Sequence, residues 1–567
     1  MVDLSSLSPQ NLPKWTWKDF EEYYRDLVGT RTGDVEEFLA KWTALSEAVD
    51  ESFSRLHVAT TVDTSDEEAR SRYHTFLEEV FPRAEELEQA LKKKLLEFDA
   101  VPDRFQLPFE RIKQEIELFR QENLPLFVEE RKLENEYDRI IGSQTVTWGG
   151  EERTVSQLRP LFQDRDRTTR EQAWRTALDR QLEDREAINE LWIKFLELRL
   201  KIARNADAQD YRSFRWKQLM RFDYTPEDCK QFHATIEKVV VPCAARLCKR
   251  RKEILGVPTL RPWDLEVDPF GRPPLKPFND VADLTARCAR IFESIDRQLG
   301  GYFQVMIQQG LLDLGNRKNK APGGYCTDFA ASKKPFIFMN AVGVHDDVQT
   351  LLHEAGHAFH TFERESLPYY HQRHTPMEFA EVASMSMELL AGNFLESEKG
   401  GFYSREDAAR AFSEHLEKGI LFWPYMAVVD AFQHWVYEHP EEALHPKNCD
   451  RQWRRLWGRF MSWMDWRGLD EELATGWQRK LHIHTVPFYY VEYGLAQLGA
   501  VQVWEQFEKD PVHAVERYRK ALALGGVASL PVLYETAGAR FTFEESALGA
   551  AVARMESKMQ GEGGNAS

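Results

Sequence analysis

The chain has 567 residues, of which 43% are hydrophobic and 29% charged, a composition that excludes intrinsic disorder and, at this length, calls for two or more packed lobes. A formal net charge of -18 argues against a general nucleic-acid binder, whose affinity comes from a positive field. The sequence opens without a basic segment followed by an apolar one, and residues 419–429, interrupted by Pro424, fall well short of the roughly 20 apolar residues of a membrane span; a cytoplasmic protein with no membrane partner is expected.

From Val35 to Leu56 the apolar residues Val35, Phe38, Leu39, Trp42, Leu45, Val49, Phe53 and Leu56 share one face of a 3.6-residue repeat, which predicts a long amphipathic helix. The same periodicity predicts helices within 66–98, 109–140, 167–204, 226–255 and 280–310, with no solenoid repeat, and sets the Lys92, Lys93, Lys94 run on a solvated face. Between 256 and 278, Pro258, Pro262, Pro269, Pro273, Pro274 and Pro277 break any helix and mark a boundary or crossing segment. A loop over 315–332, in which Gly323 and Gly324 mark a turn, leads to Phe336, Ile337, Phe338 and Met339. This run predicts one short strand, through Asn340, whose open edge would accept an extended peptide. The six cysteines are scattered without a CxxC pair, as expected of idle free thiols in a reducing compartment.

The chemistry begins immediately after that strand. Residues 351–360 read LLHEAGHAFH and contain HExxH as His353, Glu354, Ala355, Gly356 and His357. Two histidines four apart on a helix point the same way and can grip one Zn²⁺, while the intervening glutamate faces the open coordination position as a general base. Asp346 and Asp347 are suited to cap this helix, and Val348, Leu351, Leu352, Ala355 and Phe359 give it a stripe to bury. His345 and His360 lie nearby and read as structural. A third ligand must come from another helix, and MEFAEVASMSMELL at 377–390 offers Glu378, Glu381 and Glu388; spacing alone does not choose among them.

HEAGHAFH, followed 24 positions after His357 by the glutamate of FAEVASMSMELL, resembles the thimet-oligopeptidase and oligoendopeptidase F family of zinc peptidases, and most of all its oligoendopeptidase F branch with the Pz-peptidase-like enzymes. The likeness is strongest over about 320–500. It implies that Glu381 is the third zinc ligand, with one Zn²⁺ per chain, and leaves Glu388 to orient a ligand histidine. It also implies that LHIHTVPFYYVEYG at 481–494 supplies donors to the oxyanion of the tetrahedral intermediate. His482 comes first and His484 second among the histidines, with Tyr489, Tyr490 and Tyr493 as the phenols and Pro487 opening a further helix. The segment DAFQHW at 430–435 is also similar to the branch, and its histidine, His434, reads as a supporting core residue.

The resemblance implies a mainly α fold: a two-lobed helical zincin with a deep central cleft and a small β-sheet beside the HExxH helix. An N-terminal helical lobe over 1–200 would precede a catalytic region over 201–567. A recessed site would admit short peptides and exclude folded proteins. The expected activity is zinc-dependent endopeptidase cleavage of short oligopeptides. The alternatives are a zinc carboxypeptidase or dipeptidyl carboxypeptidase on a related scaffold, and a non-catalytic peptide-binding zinc protein, which the retention of Glu354 disfavours. Oligomeric state and cleavage preference are not written in the sequence.

Overall fold

Each 3.6-residue stripe becomes a helix where it has an apolar face to bury and a cap to start it. The computed structural model describes residues 8–29, 33–317, 320–321 and 323–563, and among these the chain is mainly α-helical with two small sheets. The first stripe forms the helix Val35–Val62, begun by the Asp34 carboxylate accepting from the amides of Glu36 and Glu37, with Phe38, Leu39, Trp42 and Leu45 buried. The 226–255 stripe coincides with a helix, Pro226–Leu255, opened by a Thr225–Asp228 capping box and ended by Gly256 in the left-handed region. Other stripes are divided. The 66–98 stretch becomes Glu67–Thr75 and Phe81–Leu95 with a π-helical turn between them, because Pro82 at the start of the second helix cannot donate to the ladder. The 167–204 stretch becomes Arg167–Glu183 and Arg185–Asn205.

The chain divides into two units, each assembled from three stretches. Unit 1 comprises Met1–Gln121, Lys276–Ala409 and Ala496–Phe541; unit 2 comprises Glu122–Leu275, Arg410–Leu495 and Thr542–Ser567. Position 200, expected to separate an N-terminal lobe from a catalytic region, is not a boundary of these units. The proline-rich crossing segment does end near one, at Leu275 and Lys276.

Strands β1 (Thr145–Trp148) and β2 (Glu151–Thr154) form an antiparallel hairpin. Strands β3 (Leu312–Gly315), β4 (Tyr325–Phe329) and β5 (Lys334–Ala341) form a second sheet in the order β3-β5-β4, with β5 parallel to β3 and antiparallel to β4. The predicted strand Phe336–Met339 is therefore the middle strand, paired on both sides, and the edges of the sheet are β3 and β4. The five-residue β4 reads as loop in the sequence because Thr327 and Asp328 interrupt any apolar alternation and Gly323, at φ +94, turns the chain just before it.

The next helix in the chain, His345–Arg364, packs against β5 and carries HExxH. Val348, Leu351, Leu352, Ala355 and Phe359 are fully buried, as its stripe requires. Asp347 is not its N-cap, which is Val344. From the first turn its carboxylate accepts from the amides of Val342, Gly343 and Val344 at 2.7–3.0 Å, so it folds the strand-to-helix connection onto the helix start. No helix among the described residues is long and apolar enough to cross a membrane.

The motif helix crosses the helix Met377–Ala391 at Gly356, where a Cβ would stand 2.5 Å from Ser384 Cα and 2.7 Å from Ala383 O. Both obstacles are backbone, so the helices themselves would have to part. Gly356→Ala is expected to lower stability by about 3 kcal/mol or more, measured by denaturant unfolding against the wild-type chain; an unchanged midpoint would show that the crossing is looser than these distances.

Candidate metal centre

The crossing brings three donor atoms together. On the motif helix the Nε2 atoms of His353 and His357 point the same way, and Glu381, from the crossing helix, places Oε2 3.3 Å from the first and 3.6 Å from the second. Two imidazole nitrogens and a carboxylate oxygen at these separations fit the tetrahedral donor set of zinc, whose bonds of about 2.0–2.2 Å put ligands about 3.3–3.6 Å apart. Glu378 and Glu388, the other glutamates of the segment, are not in that group of three. Glu388 instead sets Oε1 2.7 Å from His353 Nδ1, an arrangement that fixes the ring and leaves Nε2 for an ion. His360 is buried with Nε2 3.1 Å from Thr375 Oγ1, and His345 Nδ1 lies 2.7 Å from the Tyr403 hydroxyl, so both are engaged in the framework.

Three supports were not legible in the motif. The Ser384 hydroxyl donates to Glu381 Oε2 at 3.0 Å, one turn along the same helix. Thr361 donates to Asp328 Oδ1 at 2.6 Å, and Arg364 pairs with the other oxygen of Asp328. Thr361 and Arg364 stand four and seven residues after His357, so this face of the helix is latched to the outer strand β4. Their spacing was visible; their partner sits on a strand that reads as loop.

Burial governs the electrostatics. It pushes the Glu354 carboxyl up to about 7, with Glu381 and Glu388 adding to the rise against the pull of His353. The backbone amide of Cys326, on β4, faces that carboxyl. Burial likewise pushes His357 down to about 4. At His353 burial opposes charge too, but the two neighbouring carboxylates Glu381 and Glu388 override it and drive proton affinity well up. A cation among the three donors would replace that proton.

The C-terminal element lies in unit 2. The ring of His482 gathers Tyr489, Tyr490 and Tyr493 at centroid distances of 5.9, 5.0 and 5.8 Å. Tyr490 is buried beneath the Lys480 ammonium, 4.0 Å from its ring, whereas Tyr489 and Tyr493 are half-exposed. His484 faces the other way: it stacks 4.4 Å from Tyr137 and 5.9 Å from Trp477, and burial pushes it down to about 3. Pro487 does not open the next helix, which begins at Tyr490. Phe488 takes φ +65, held by its amide donating to Gln433 Oε1 and its carbonyl accepting from Arg221. The preceding turn is tied down by the fully buried Arg199, which donates to the carbonyls of Ile483 and His484 and to Glu130.

Comparison with known proteins extends this picture beyond the site. The model of peptidase family M3 matches residues 161–552. Oligopeptidase PepF of Bacillus subtilis (strain 168) is 27% identical over 244 residues, 40% of this chain and 34% of that protein. The plasmid oligoendopeptidase F of Lactococcus lactis subsp. cremoris is 25% identical over 42% of this chain and 39% of its own length. The chain thus spans little more than a third of the length of these curated relatives. Among solved structures, Pz peptidase A with an inhibitor is similar at a TM-score of 0.89 and 28% identity, covering 99% of both chains.

Two substitutions test the donor set. Glu381→Ala is expected to strip most metal from the purified chain, read by elemental analysis, and full occupancy would remove Glu381 from the ligands. Glu388→Gln keeps the shape but not the charge, and competition with a chelator should show a metal affinity about 10- to 100-fold weaker.

Proposed function

We propose, since this chain belongs to peptidase family M3, that it is a zinc-dependent endopeptidase of short oligopeptides, with His353, His357 and Glu381 holding one Zn²⁺ and Glu354 as general base. The observation that carries the reading is the approach of Glu381 Oε2 to both Nε2 atoms of the motif. When bound, the ion supplies Lewis acidity toward a carbonyl oxygen and a water.

The rest is work for side chains. Glu354 takes a proton from the attacking water and passes it to the departing amine, a role suited to a carboxyl raised to about 7. His482, with Tyr489, Tyr490 or Tyr493, donates to the developing oxyanion. His484, caged by aromatic rings, is left to packing. The peptide lies extended along the outer edge of β4, where the Cys326 amide faces the base; this follows the usual recognition of a strand by a sheet edge.

Glu354→Gln should leave zinc and fold intact while turnover falls by on the order of 10² to 10⁴; normal turnover in the metallated variant would sink the base assignment. His482→Phe is expected to cost on the order of 10² to 10³ in turnover with little change in substrate affinity, and His484→Phe much less. The same loss in both would move the oxyanion donor elsewhere. Mass analysis of products from end-blocked peptides distinguishes internal cleavage from carboxypeptidase action, which requires a free terminus.

A further inference from the structure

Unit 2 contains a second set of donors, far in sequence from HExxH. Cys229 and His233 stand four apart on the helix Pro226–Leu255, and Asp430 and His434 stand four apart on the helix Arg405–Glu438. Four-residue spacing puts each pair on one helix face, and the two faces meet: one donor atom each of Cys229, Asp430 and His434 lie within 4.8 Å of one another. His434 Nε2 is 3.3 Å from Asp430 Oδ2, and His233 Nε2 lies 2.7 Å from that same oxygen.

The site has features that packing alone does not require. Asp430 is 0% and His434 2% exposed, yet Asp430 Oδ1 accepts no hydrogen bond and His434 Nε2 has only its 3.3 Å approach to Asp430 Oδ2. A buried carboxylate left half satisfied is costly. Its ion pairs are with imidazoles; the nearby Arg212 goes to Glu438, with its guanidinium 3.4 Å from His434 Nδ1.

We propose that Cys229, Asp430 and His434 bind a second transition-metal ion, zinc by preference, with His233 holding the far carboxylate oxygen of Asp430 in place. Thiolate, carboxylate and imidazole are a zinc donor set, and the hydrogen bond from a neighbouring group to the ligand carboxylate is the usual means of aiming it. On binding, the Cys229 thiol gives up its proton to solvent. The divalent ion then balances one thiolate and one carboxylate, so the buried cluster becomes neutral overall. The ion would join two helices of unit 2 from within and act on stability, not on peptide chemistry.

The test uses the full chain with the first site removed. His353→Ala/His357→Ala protein, loaded with Co²⁺ and dialysed, is expected to retain about one ion per chain and to show the near-ultraviolet thiolate-to-cobalt absorption. The HExxH site, which lacks a cysteine, cannot produce that band. Cys229→Ser in the same background should abolish the band while circular dichroism stays that of the folded chain. Retention of no cobalt by the double variant, or retention without a thiolate band, overturns the proposal. A thiolate band that survives Cys229→Ser overturns it as well. None of these outcomes bears on the HExxH centre, whose own test is the metal and activity of the chain with those histidines present.

Discussion

The approach of two helix backbones at Gly356 is the constraint on which the HExxH centre depends. Without a side chain there, the helix of His353 and His357 sinks until its backbone meets Ala383 and Ser384. Glu381 is one turn back from that contact, so the depth of the crossing sets how near its carboxylate comes to both imidazoles. The far side of the glutamate helix is equally constrained. Tyr518 donates to the Ala383 carbonyl at 2.8 Å, and a Cβ on Gly499 would stand 3.0 Å from Val382. The donors are thus spaced by packed backbone, the most rigid positioning a protein offers.

Such packing concentrates negative charge. Glu354, Glu378 and Glu381 are all at most 8% exposed, and Glu388 is close by on His353. Desolvation makes ionised carboxylates expensive, and the chain meets the cost unevenly: Glu354 is raised toward neutrality, while Glu381 and Glu388 are left to draw a positive charge to His353. The arrangement separates a carboxyl pushed toward its neutral form from two that favour positive charge on the imidazole beside them. Asp430 in unit 2 is a different case, buried between imidazoles with one oxygen unsatisfied.

Local periodicity made most of the helices and the motif readable. HExxH needs only four-residue spacing, and its apolar stripe is complete in the sequence, so His353, His357 and the helix under them were visible at once. The choice of Glu381 over Glu378 and Glu388 was not, because all three suit a helix and only the crossing angle separates them; the family resemblance supplied it. Strand β4 was missed because a five-residue edge strand carrying Thr327 and Asp328 has no signature apart from its partner. Phe488 illustrates the same limit: its positive φ is imposed by Gln433 and Arg221, 55 and 267 residues away. The aromatic cage of His484 joins nearby Trp477 to Tyr137 and Trp192, which no window around 484 contains.

The three-stretch construction of each unit governs how the chain can acquire its structure during synthesis. Domains usually fold in order as they leave the ribosome. Here unit 1 lacks its last stretch until Phe541 has been made, and unit 2 until Thr542–Ser567 has followed. HExxH and its glutamate are finished long before, yet Tyr518 and Gly499, which back the glutamate helix, belong to that late stretch. A nascent chain halted at residue 495 would carry every donor atom of both clusters and neither completed unit, so the donors are made before the frame that spaces them.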